Sequence, residues 1–102
     1  MRIGIHFICR DDTGVSVLEN GHFESRAWRV ATSTAKAAEY IALHQRQGEP
    51  SYRQGRVISF RRDAKHANRY VFVCQPDEAR MLWPGPTRGG PTMVINRGGL
   101  RP

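Results

Sequence analysis

A chain of 102 residues, 39% hydrophobic and 25% charged, has room for one modest core and not for a second, substrate-binding domain beside it. Its charge is lopsided: 16 Lys+Arg oppose 9 Asp+Glu, a formal net charge of +7. No apolar stretch approaches the ~18 residues of a membrane span, so no membrane partner is expected.

Arg2 to Cys9 alternates Ile3, Ile5 and Phe7 on one face with His6 and Ile8 on the other, the period of a strand. The same run turns polar too soon for a signal peptide, so the expected location is cytoplasmic. Asp11-Asp12-Thr13-Gly14 is turn-forming, and Val15 to Leu18 is a short strand. Asn20-Gly21 then signals a hairpin, because both positions tolerate positive φ. With a return strand over His22 to Val30, these pieces predict an N-terminal antiparallel meander. Thr32-Ser33-Thr34 offers an N-cap to the helix-forming Ala35-Lys36-Ala37-Ala38-Glu39. That helix either runs from Thr34 to Gln47, or stops near Glu39 and leaves Tyr40 to His44 as a strand; periodicity leaves both open.

Gly48 to Tyr52 is a loop, and Arg56 to Arg61 a strand with Val57 on one face and Ile58 and Phe60 on the other. Arg62 to Asn68 is a polar connector, and Tyr70 to Cys74 is the most β-prone run, expected to be a central strand. One helical turn is expected around Asp77 to Met81, and a last strand over Thr92 to Ile95 amid the glycines and prolines beyond Leu82. Cys9 and Cys74, in strand-like runs, read as buried free thiols, with a bridge as the alternative. The whole predicts a single α+β domain over residues 1–96, with a small curved antiparallel sheet or partly closed β-barrel and one or two short helices. Residues 97–102 are expected to be a flexible tail.

Splitting the chain sharpens the charge. Residues 1–50 hold six basic and six acidic side chains, whereas residues 51–102 hold ten basic against Asp63, Asp77 and Glu78. Fourteen of the cations are Arg, whose planar fork suits phosphate and stacks on rings. Arg53, Arg56, Arg61 and Arg62 are interleaved with Tyr52 and Phe60, with Trp83 following beside Arg80. Cations that displace counterions and flat side chains that receive bases are what nucleic-acid binding needs. The competing role is a solvated strand face with the aromatics in the core.

A Trp-containing strand (Ala27-Trp28-Arg29-Val30), a small helix, a strand ending in Leu43-His44, a Ser51-Tyr52 loop and a Gly55-Arg56-Val57 strand follow in order. Over roughly residues 23–75 this order resembles the PUA-like superfamily, which includes the EVE and ASCH domains. The resemblance implies a small twisted β-barrel that binds RNA or holds a flipped, often modified base. It implies stacking walls from Trp28 and Tyr52, base-edge contacts from His44 and Ser51, and phosphate contacts from Arg56, Arg61 and Arg62. The chain departs from the catalytic ASCH pattern, a Lys/Thr/Glu-type set, because Lys36 and Lys65 stand in other contexts. For Trp28 the competing role is core packing, and for His44 a buried, hydrogen-bonded imidazole.

His6 and Cys9 are spaced as a single metal knuckle, but on a strand they point to opposite faces, so neither a metal nor any cofactor is expected. Neither a Gly-x-Ser-x-Gly elbow nor a phosphate loop is present. The expected function is therefore nucleic-acid binding, DNA or RNA, through Trp28, His44, Ser51, Tyr52, Arg53, Arg56, Arg61, Arg62 and Trp83. Two alternatives come from other classes. One is a phage or mobile-element inhibitor of the anti-CRISPR or anti-restriction type, seated on an acidic protein surface. The other is a small metal-independent ribonuclease or toxin drawing acid and base from His6, His22, His44 and His66, although no spacing pairs two of them.

Overall fold

β-Branched and aromatic runs make seven strands, and the order in which they pair differs from the order in which they occur. The computed structural model describes residues 3–87 and 90–97. Its strands are β1 (Gly4–Ile8), β2 (Val15–Val17), β3 (Phe23–Trp28), β4 (Tyr40–His44), β5 (Arg53–Arg62), β6 (Tyr70–Asp77) and β7 (Met93–Asn96). One helix, α1 (Thr32–Ala37), links β3 to β4, and a 3-10 turn over Arg10–Asp12 follows β1. The strands form one sheet in the order β2-β3-β6-β5-β4-β1-β7, antiparallel throughout except for the parallel pair β1–β4. The domain is thus mostly β with little helix. The expected tail falls largely on residues 98–102, outside the described residues.

The Asn20-Gly21 hairpin forms as expected, with Val15 opposite Ser25 and Val17 opposite Phe23. The meander does not. β1 pairs with β4 and β7, while the hairpin sits at the far end of the sheet. The reason is burial on both faces: Ile5, Phe7 and His6 are all nearly inaccessible, which only an interior strand allows. The same holds for Tyr40 to His44, buried at every position, so the open choice there resolves to strand. Asp77 to Met81 makes no helical turn; β6 runs on to Asp77 and an irregular segment follows.

The core lies on one face of the sheet, built from Ile5, Phe7, Phe23, Ile41, Leu43, Tyr70, Phe72 and Cys74, with α1 contributing Ala35. Trp28 of β3 stacks on Phe7 of β1 with ring centroids 3.9 Å apart and planes inclined by 16°. Those strands are four spacings apart in the sheet, roughly 19 Å if it were flat. The sheet therefore curls until its β3 side faces its β1 side, yet it keeps two edges, β2 and β7, and does not close.

A bulge corrects the expected faces of β5. Val57 pairs with Cys74 and Ser59 with Val73, so Ile58 has no partner in the ladder. The extra residue shifts the phase, placing Val57 and Phe60 together against the core and leaving Ile58 45% exposed. It also brings Arg56, opposite Gln75, and Arg61, opposite Val71, to the outer face.

Candidate functional site

The nine residues singled out in the sequence are scattered through three environments. The first is a second, polar layer on the outer face of β1 and β4. His44 Nδ1 lies 2.8 Å from the Glu49 carbonyl, which can only accept, so Nδ1 carries the proton. His44 Nε2 then accepts from His6 Nδ1 at 2.9 Å, which leaves His6 Nε2 to accept from the Tyr40 hydroxyl at 2.9 Å. Tyr40 Oη in turn accepts from Asn96 Nδ2 at 2.9 Å. One set of neutral tautomers satisfies the whole chain. Trp83 covers it edge-on, 5.1 Å from the His44 ring and 6.5 Å from His6, and donates its indole N–H to the Pro86 carbonyl.

Burial holds both imidazoles neutral: desolvation, with His44 adjacent, pushes the His6 pKa down to about 4, and burial lowers His44 as well. Two histidines are thus paired, a juxtaposition no spacing in the sequence revealed. With His6 1% and His44 0% exposed, a substrate phosphate does not reach them, and the acid form needed for ribonuclease chemistry is disfavoured. His44 and Trp83, both expected in the binding site, are interior side chains with their polar atoms engaged.

The second environment is the junction of β4, β5 and the segment after β6. The fully buried Ser51 hydroxyl donates to Gln54 Oε1 and accepts from the Met81 N–H, while Gln54 donates to the Asp77 carbonyl. Tyr52 donates to the Cys9 carbonyl and accepts from the Asp12 N–H, and its pKa is raised by burial. Arg53 clamps Asp12 bidentately at 3.0 and 2.6 Å, which holds the Asp12 carboxyl below its ordinary range. Ser51, Tyr52 and Arg53, expected to make base-edge, stacking and phosphate contacts, are thus engaged in internal bonds.

The third environment is open. Arg56 is exposed and bonded to Gln75; Arg61 meets Glu24 at 3.1 Å; Arg62 reaches the Ala67 carbonyl and lies over the Tyr70 ring. Where β3 is bulged between Ser25 and Trp28, a solvent-open cavity of about 460 Å³ forms between β3, the end of β1 with the turn after it, and Arg69 of the connector before β6. Trp28, Cys9, Thr13 and three arginines, Arg10, Arg26 and Arg69, line it. The Trp28 N–H is satisfied by Ser25 Oγ, and Phe7 covers one of its faces. Arg26 contacts the buried Asp63 at 3.2 Å. The buried Arg69 Nε has no hydrogen-bond partner among the described residues. Leaving such a charged donor unsatisfied costs ~1–3 kcal/mol or more.

Of the expected site, then, Trp28 lines a cavity, Arg61 and Arg62 stand at the end of β5 near it, and Arg56 lies further along β5, opposite Gln75. Arg10, Arg26 and Arg69 were missed, because they come from the 3-10 turn after β1, from β3 and from the connector before β6, and share no spacing. A neighbouring cleft of about 630 Å³ also includes Arg10, together with Asp11, Gln45 and the Arg46–Glu49 ion pair. Among the described residues no three His, Cys, Asp or Glu side chains come together as a metal site, and both cysteines are free and buried. No helix among them is long and apolar enough to cross a membrane. No protein-family model, curated protein or solved structure matches this chain.

Proposed function

We propose that this protein binds nucleic acid, holding an unstacked base against Trp28 while arginines neutralise the flanking phosphates. The observation that carries the reading is the cavity itself, which combines an indole backed by Phe7 with Arg10, Arg26 and Arg69. A base laid on Trp28 would extend the Phe7–Trp28 stack by one layer, and base–aromatic stacking contributes ~1–3 kcal/mol per base. The volume falls within the ~300–1,000 Å³ common for small-ligand pockets. Arg61 and Arg62, at the end of β5, stand near Arg26 through its bond to Asp63, so a strand leaving the cavity has cations along its path. The resemblance to PUA-like base readers supports the same assignment, with the aromatic wall shifted to Trp28 alone.

Gel shifts of a short single-stranded oligonucleotide across a salt series test this. Affinity should fall linearly with salt on logarithmic axes, and Arg61→Ala with Arg62→Ala should flatten the slope by about 1 to 2. Trp28→Leu should weaken binding about tenfold or more without changing the slope. Salt-independent binding, or none at low salt, overturns the reading.

A further inference from the structure

Charge in the cavity is concentrated beyond what a base alone would use. Three arginines line the cavity, and among the described residues the only carboxylate bonded to any of them is that of Asp63, which holds Arg26 and also takes the His66 ring and two backbone N–H groups. The two other acidic groups nearby are turned to other partners: Asp12 is clamped by Arg53, and Asp11 faces Gln45. Arg10 and Arg69 are therefore left without an ion-pair partner among the described residues, in one cavity of about 460 Å³. The phosphodiester inside a nucleic-acid chain carries one negative charge, whereas a phosphate monoester carries about 1.5 to 2 near neutral pH. The donors fit the same group, since guanidinium forks present several N–H donors to an oxygen-rich ligand.

We infer that the Trp28 cavity takes a nucleotide bearing a phosphate monoester, the base on Trp28 and the dianionic phosphate among Arg10, Arg26 and Arg69. This rests on the nucleic-acid reading for its polymer form, in which the monoester is the end of a strand; a free mononucleotide presents the same chemistry. Arg10 is exposed and Arg69 half-buried, so the first is the entry-side contact and the second the deeper one.

Five probes at fixed salt separate the cases: adenosine 5′-monophosphate, adenosine, and one oligonucleotide with a 5′-phosphate, with 5′- and 3′-hydroxyl ends, or with a 3′-phosphate. One phosphorylated end should bind at least tenfold tighter than hydroxyl ends. The mononucleotide should bind at least tenfold tighter than the nucleoside. Arg10→Gln, an exposed position that folding tolerates, should remove most of both differences, and Arg69→Gln should do the same where its thermal melt stays cooperative. Equal binding of all three strands overturns this inference while leaving the nucleic-acid reading intact. A mononucleotide that binds with the expected phosphate dependence, with no strand binding, supports the inference and overturns the strand reading. Equal affinity for adenosine and its monophosphate counts against the inference whatever the strands do.

Discussion

The run of hydrogen bonds from Asn96 through Tyr40, His6 and His44 to the Glu49 carbonyl shows how one residue's tautomer dictates the next. Because the folded His6 pKa, about 4, lies below the ordinary 6.5, folding favours the neutral ring. Its stabilising effect is complete above pH 6.5. As pH falls, the unfolded chain takes up a proton first, and stability drains away until the folded ring titrates near pH 4. The loss from His6 is on the order of 3 kcal/mol, and His44 acts in the same direction. Urea midpoints should therefore drop steadily between pH 6.5 and 4; a midpoint that holds level speaks against a neutral pair. Tyr40→Phe strips His6 Nε2 of its donor and Asn96 of its acceptor, and should cost ~1–3 kcal/mol by thermal melt. The same ring explains why residue 4 is glycine: a Cβ there would run into Tyr40 directly across the parallel pair.

At the scale of elements, the bulge at Ile58 decides what β5 does, since it sends Phe60 inward and Arg61 outward. Phe60→Ala should cost ~3 kcal/mol in denaturant unfolding, whereas Ile58→Thr should stay within about 0.5 kcal/mol. Equal costs would mean that the ladder runs without the extra residue. Such an insertion was not legible in Arg56 to Arg61, because a regular alternation with one unpaired residue looks like a regular alternation. The Asn20-Gly21 hairpin and the strands over Gly4–Ile8, Tyr70–Asp77 and Met93–Asn96 were legible, through turn chemistry and β-branched runs. Tyr40 to His44 was ambiguous for a physical reason: with Trp83 on one side and the core on the other, all five positions are buried and the alternation that marks a strand is erased. The pairing of β1 with β4 was invisible because neither carries a turn signal linking it to the other; it alone brings His6 to His44.

For the whole molecule, folding redistributes the charge that seemed confined to residues 51–102. Asp12 and Glu24 of the neutral half pair with Arg53 and Arg61, while Arg10 and Arg26 of that half join Arg69 in the cavity. Trp28 was legible as part of a site; the cations around it were not, since only the curl of the sheet gathers them. Releasing a paired arginine should strengthen nucleic-acid binding. Glu24→Gln frees Arg61 and should steepen the salt dependence for single strands by about 0.7 in slope. An unchanged slope would place Arg61 outside the path. The neighbours of β1 also set a timetable. A chain made at ~5–20 residues per second completes its first strand long before Tyr40–His44 and Met93–Asn96 emerge to flank it, and β3 likewise waits for β6. The one long pairing available early is the β5–β6 hairpin, so refolding should begin there and proceed in milliseconds to seconds, the pace of domains ruled by distant contacts. Until the seventh strand arrives, the first one made stands with an edge bare, and that interval is when this chain is most open to mispairing with its own copies.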